Sequence, residues 1–169
     1  MIISIEKLSS QYSVRPLTEA DIDYIYGLCR NNPLYYKHCP PPCTREGIFE
    51  DLKALPPGTD YADKYYIGFF ENKTMIAVMD LIASYPDEET AFIGLFMMNK
   101  EYQGGGTGSR IIHELCSALQ DQGFTSVRLG YVKTNPQSKR FWEKNQFIPT
   151  GAIVRQELYD IVVMQRLLG

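Results

Sequence analysis

Cysteine, histidine and positive charge are scarce in this chain, and each scarcity removes a class of function. Its 169 residues include four cysteines, two histidines and one tryptophan. Cys39 and Cys43 stand in "HCPPPC" beside His38. The spacing is not that of a CxxC knuckle, the prolines stiffen the segment, and no second ligand pair occurs elsewhere. The segment therefore reads as a loop and no metal is expected. Cys29 and Cys116 fall on apolar helical stripes and read as core. Lys and Arg number 17 against 20 Asp and Glu, giving a net charge of -3 and a pI near 5.4. Nucleic acid and anionic membranes call for a basic face, so neither is expected as a partner. No apolar run is long enough to span a bilayer, and "MIISIEKLSSQYSVRP" has no signal-peptide core, which predicts a cytoplasmic protein with reduced thiols. Repeats, low-complexity tracts and linkers are lacking too. A hydrophobic fraction of 44% with 22% charged residues then predicts one domain over residues 1–169.

What is present is an α/β pattern. "YSVRPLTEADIDYIYGLCR" predicts a short strand and then a helix capped by Thr18, with Ile22, Ile25 and Cys29 on one face. "NNPLYYKHCPPPC" breaks that helix. Another starts near Thr44, turns Ile48, Leu52 and Leu55 inward, and stops at "PPG". "YYIGFF" and "MIAVMDLIA" flank the turn "ENKT" as a hairpin, and "AFIGLFMM" follows as a third strand. These runs are apolar on both faces, so helices should cover both sides of the sheet. A long helix follows with Ile111, Ile112, Leu115, Cys116 and Leu119 in one stripe. "SVRLGYV" is a further strand, and "NPQSKRFWEKNQF" a short helix with Asn135 as cap and Pro136 in its first turn. The tail, "AIVRQELYDIVVMQRLL", supplies two closing strands, which either complete one sheet or pair with a second copy in a homodimer. The fold class expected is a mixed sheet with helices packed on it.

Between the third strand and the long helix lies "EYQGGGTGSR". Gly104, Gly105, Gly106 and Gly108 weaken a helix start, yet they leave backbone N–H groups uncovered at the positive end of a helix dipole. That is an anion site, and Thr107 and Ser109 add hydroxyl donors. A P-loop would need Gly-Lys-Ser/Thr, and "GTGSR" has no lysine. A dinucleotide fingerprint would need a glycine where Ser109 stands.

Gln103-Gly104-Gly105-Gly106-Thr107-Gly108 resembles the Q/R-x-x-G-x-G/A motif of the GNAT superfamily of acyl-CoA-dependent N-acyltransferases. "NPQSKRFWEKNQF" resembles that family's later motif: an Asn, a small residue three on, an aromatic pair and a closing Phe. "VRPLTEAD" is similar to its opening strand and helix. The resemblance, from about residue 12 onward, implies a central splayed mixed sheet with helices on both faces, and acetyl-CoA as co-substrate. It implies that the amides of Gln103, Gly104, Gly105, Gly106, Thr107, Gly108 and Ser109 hold the pyrophosphate. Asn135 and Ser138 would touch the pantetheine or phosphate region, with the cofactor lying between "AFIGLFMM" and "SVRLGYV".

The reaction it implies is direct transfer of an acetyl group to an amine of a small molecule or peptide, with the Met98 backbone N–H on the thioester carbonyl. Trp142 occupies the position where many members carry a tyrosine acid, and indole cannot protonate a thiolate. Tyr131 is the substitute candidate, or the thiolate leaves unprotonated. For the general base Asp80, which interrupts an apolar strand, is the candidate. Glu88 and Glu89 read as turn residues, His113 as exposed, and His38 as part of a variable loop. "NNPLYYKHCPPPCTREG" corresponds to the region that walls the acceptor site. Two other readings use the same residues: a non-catalytic acyl-CoA-binding module, and a nucleotide-binding protein.

Overall fold

The computed structural model describes all 169 residues. Seven strands form one sheet: β1 (Ser13–Pro16), β2 (Lys64–Glu71), β3 (Thr74–Ile82), β4 (Thr90–Met98), β5 (Ser126–Val132), β6 (Ile148–Arg155) and β7 (Asp160–Leu167). Their spatial order is β1-β2-β3-β4-β5-β7-β6. Neighbours are antiparallel except β4 and β5, which run parallel because a helical crossover joins them. Both tail strands belong to this sheet, and β6 begins at Ile148, ahead of the apolar run that announced it.

Five α-helices accompany the strands: α1 (Ile22–Arg30), α2 (Pro33–His38), α3 (Arg45–Asp51), α4 (Thr107–Asp121) and α5 (Pro136–Lys144). Thr18 caps a 3-10 turn, Glu19–Asp21, that leads into α1. Thr44 caps α3 through the Gly47 N–H. The expectation that "NNPLYYKHCPPPC" only breaks the chain is corrected here. Residues 33–38 form a helix of their own, because Pro33 sits at the first turn, where its missing N–H costs no bond. Leu55 lies beyond the end of α3 and is only half-buried.

Two cores lie on opposite faces of the sheet. One packs α4 and α5 against it: Ile111, Ile112, Leu115, Cys116 and Leu119, the stripe read from the sequence, meet Ile67, Phe69, Met79 and Leu129. The other packs α1 and α3, through Ile25, Leu28, Cys29 and Ile48, against Tyr66, Phe70, Val78 and Met97. Strand residues alternate between the two, as the two-residue period requires.

The feature that positions the site is a break in the sheet. β4 and β5 are paired only from Thr90–Ser126 to Ile93–Leu129. In the next position, Asp80 and Leu81 of β3 face Leu95 and Ile93, so Gly94 has no partner and forms a β-bulge. A bulge adds local twist and bends its strand. From there the C-terminal half of β4 no longer pairs with β5, and the two strands splay.

Candidate active site

A cleft of about 520 Å³ opens at the splay. The last residues of β4, Phe96, Met97 and Met98, form one wall. Gln103, Gly104, Gly106, Gly108 and Ser109 form the mouth, with Asn135, Ser138, Phe141 and Trp142 opposite. Residues 31–35, from the α1–α2 junction, close the far end. Lys100 and Lys144 are the charged residues on the lining, and no carboxylate is among them. Uncompensated positive charge of this kind suits an anionic ligand.

The glycine loop leaves its donors free. The N–H groups of Gly104, Gly105, Gly106, Thr107, Gly108 and Ser109 have no acceptor on backbone or side chain; the first bond into the helix runs from Arg110 N–H to Gly106 O, at 3.1 Å. The Gln103 N–H, expected to join this row, is corrected: it already donates to Lys100 O at 3.3 Å, because a 3-10 turn at Lys100–Tyr102 ends on it. Gly104 and Gly106 have φ of +84° and +82°, a left-handed conformation that side chains resist, and a Cβ on either would meet nothing within 4 Å. Glycine is therefore required there by backbone shape and by the open approach it leaves. Gly108 is different: a Cβ there would stand 3.3 Å from the Phe141 ring, so close packing of α4 on α5 selects it.

Asn135 is the α5 cap that its position predicts. Its Oδ1 accepts the Ser138 N–H at 3.2 Å, and its own N–H donates to Val132 O at 2.8 Å, which ties the cap to the end of β5. The residue is 4% exposed, and its Nδ2 donates to no protein acceptor. Ser109 Oγ accepts from Asn145 Nδ2 at 3.2 Å and keeps its own hydrogen available.

Met98 lies where β4 leaves the sheet. The Asn99 N–H donates to Ile76 O on β3 at 2.8 Å. Successive residues of a strand point their backbone groups to opposite sides, so Met98 turns away from β3 and into the splay. Its carbonyl does so visibly: it accepts from Asn32 Nδ2 at 3.0 Å and Gln103 Nε2 at 3.2 Å. The Met98 N–H shares that side, as does that of Phe96, two residues earlier. The two amides thus face a gap that β5 does not fill.

Of the remaining candidates, only Trp142 lines the cleft; the others lie apart from it. Asp80 is on the α1/α3 face beside the bulge, its Oδ2 only 3.1 Å from where a Cβ on Gly94 would stand. Both of its oxygens accept from Lys64 Nζ at 2.9 Å, and Lys64 also donates to Ala54 O at 2.8 Å. Burial raises the Asp80 carboxyl to about 6 although Lys64 opposes the shift. Tyr131 is 7% exposed and packs in the core under α4 and α5. Trp142, also 7% exposed, packs on Phe141, Phe147 and Phe96 with ring centroids 4.9, 5.2 and 6.1 Å away. His113 is exposed, and His38 Nδ1 meets Thr134 Oγ1 at 2.9 Å, which joins α2 to the loop after β5. Cys29 is pushed up to about 12 by burial, so its thiol is inert at neutral pH. Asn32, Lys100 and Lys144 escaped the reading of the sequence; only folding brings Asn32 and Lys144 to the glycine loop, while Lys100 stands just ahead of it in the chain.

The profile of the Acetyltransferase (GNAT) family matches residues 30–147. The chain belongs to that family. It is accordingly an acetyl-CoA-dependent N-acetyltransferase, and the glycine loop, the splay and the α5 motif all fall within the matched segment. Solved structures share its fold at low identity. An acetyltransferase from Thermus thermophilus superposes with a TM-score of 0.74 at 19% identity, covering 94% of this chain and 97% of that one. Spermidine N-acetyltransferase from Vibrio cholerae, in complex with CoA and spermine, gives 0.67 at 18%, covering 95% and 97%. An acetyl transferase from Salmonella typhimurium that modifies the N-terminal serine of the 50S protein L7/L12 gives 0.73 at 15%, covering 96% and 98%. No curated protein matches the sequence significantly.

Proposed function

We propose that this acetyltransferase acts on a primary amine of a small molecule or peptide, with acetyl-CoA laid from the glycine loop into the splay. The observation that carries this reading is the row of six unpaired amides, Gly104 to Ser109, at the mouth of a cleft bounded by the splayed end of β4 and by α5. Those amides hold the pyrophosphate, and Lys100 and Lys144 supply the countercharge. Ser138 and the free Nδ2 of Asn135 face the pantetheine arm. Met98, with Phe96 beside it, presents N–H groups to the thioester carbonyl, where charge develops as the tetrahedral intermediate forms.

The amine arrives from the α1/α3 side, past the tyrosines of α2, and Asp80, beside Gly94 on that face but outside the cleft lining, is the base candidate for its proton, reached through water. Lys64 holds that carboxylate ionised at neutral pH, and a carboxyl near 6 is well matched to the task. Of the two residues weighed as the acid for the leaving sulfur, Tyr131 is turned into the core and Trp142 is an indole. Coenzyme A therefore leaves as a thiolate, which its ordinary pKa of about 8.5 permits. The relatives named above act on a polyamine and on a protein N-terminus, and both kinds of amine fit the reading.

Calorimetry with acetyl-CoA, followed by a thiol-release assay over polyamines and free-amine peptides, tests it. Wild type binds, and thiol appears only when an acceptor is present. Gly106→Val, which puts a β-branched side chain on a left-handed residue and over the amides, weakens binding at least about tenfold, equivalent to about 1.4 kcal/mol. Absence of binding by wild type, or unchanged binding by the variant, defeats the reading.

A further inference from the structure

Asn32 opens α2 at the position where an asparagine ordinarily caps a helix, yet its side chain makes no capping bond. It is turned instead toward β4. Its Nδ2 donates to Leu28 O in the last turn of α1 and to Met98 O at the end of β4, both at 3.0 Å. Its Oδ1 accepts from Gln103 Nε2 at 2.6 Å, and that same nitrogen reaches Met98 O at 3.2 Å. Each amide nitrogen carries two hydrogens. All four are therefore used: three close a triangle of Asn32, Gln103 and the Met98 carbonyl, and the fourth anchors it to Leu28 O of α1. The orientation of Asn32 is unique, since a flipped amide would turn its oxygen toward two carbonyl oxygens.

The triangle joins three elements with different tasks. Met98 is the strand end that faces the splay, Gln103 is the first residue of the glycine loop, and Asn32 begins the helix on the acceptor side. We infer that Asn32 is a positioning residue for acyl transfer. By holding the Met98 carbonyl it fixes the peptide plane that follows Met98 and, across one Cα, restrains the strand end that carries the Met98 N–H. Through Gln103 it locks that strand end to the loop that grips the pyrophosphate. This inference rests on the reading of Met98 and the glycine loop given above. Asn32 touches no reacting atom; it acts through Met98.

The consequence is specific to the acyl group. Coenzyme A and acetyl-CoA share every phosphate contact and differ at the thioester carbonyl that the Met98 N–H would meet. Losing the triangle should therefore erase the preference for acetyl-CoA over coenzyme A and leave the affinity for coenzyme A within about twofold.

The experiment measures both dissociation constants by calorimetry for wild type, Asn32→Ala, Gln103→Ala and the double variant. It also follows the Met98 amide by NMR as acetyl-CoA is added. Wild type should favour acetyl-CoA and shift its Met98 amide proton. Asn32→Ala should lose at least about threefold of that preference together with the shift. Gln103→Ala, at an exposed loop position, should move in the same direction. The double variant should be no worse than Asn32→Ala alone, because one triangle is lost in all three. Equal weakening of both ligands, or additive losses, would overturn the inference and leave Asn32 a structural residue. Variants that match wild type, or a wild type without acyl preference, would overturn it as well. A wild type that binds neither ligand would instead remove the reading of the cleft itself.

Discussion

Asp80 shows how much one residue's meaning depends on its neighbours. A carboxylate inside an apolar strand announces itself in the sequence, but Lys64, 16 residues earlier, does not announce itself as its partner. The two meet because β2 and β3 pair so that Tyr66 faces Asp80 and Lys64 lies one step along the same face. The net effect of the site is still to raise the carboxyl, from 3.8 to about 6. The native state then holds this proton more tightly than the unfolded chain does. Between about pH 4 and pH 6 the unfolded chain ionises first, so this group's contribution to stability falls as pH rises; above that window it is constant. The span is roughly 3 kcal/mol, from about two pKa units at 1.36 kcal/mol each. Urea unfolding across pH 4 to 7 should show that decline in wild type, and Asp80→Asn should lack it. A constant offset between the two proteins, with the same slope, would count against the assignment.

At the scale of elements, the two helices that begin at the cleft are built by opposite means. α5 starts with a side-chain cap, Asn135, and a proline, so its first N–H groups are satisfied or missing. α4 starts with a left-handed glycine and no cap, so its first N–H groups stay free for a ligand. Both starts were legible, because capping residues and glycine clusters act over four or five positions. The role of Asn135 in binding is separable from its role as a cap. Asn135→Asp keeps the oxygen that accepts from Ser138 and loses the Nδ2 donor. It should leave the melting temperature nearly unchanged yet weaken coenzyme A at least about fivefold, partly through repulsion of the phosphates. Asn135→Ala should in addition cost about 1 kcal/mol of stability, seen in chemical denaturation. If Asn135→Asp binds like wild type, the side chain serves the helix alone. α2 was not legible, since "NNP" and "CPPPC" read as punctuation, and one proline at a first turn is indistinguishable in sequence from a break.

For the molecule as a whole, the seven-stranded sheet parts between β4 and β5 beyond the bulge at Gly94, and the cleft lies between the freed end of β4 and α5. A ligand in the splay supplies contacts that the two strands cannot make with each other, so binding should stabilise the entire fold. With acetyl-CoA at a hundred times its dissociation constant, the gain is about 2.7 kcal/mol. For a chain of this size that raises the melting temperature by roughly 5–10 °C. Differential scanning fluorimetry with and without acetyl-CoA measures it, and a shift below about 2 °C at that saturation would mean that the ligand does not bind the native state in preference to the unfolded chain. No helix is long and apolar enough to cross a membrane.

The order of the strands and of every α-helix but α2, the apolar stripe of α4, the two caps and the glycine loop could all be read directly from the order of residues. Each rests on spacing among near neighbours, where a period of 2 or 3.6 residues or a missing side chain is enough. The bulge at Gly94, the Lys64–Asp80 pair, the helix at residues 33–38 and the triangle that binds Asn32 to Met98 and Gln103 emerged only with the folded chain. The pair and the triangle depend on strand register and on residues 16 to 71 positions apart. Distances of that kind are set by the packing of the whole sheet, and no local pattern carries them.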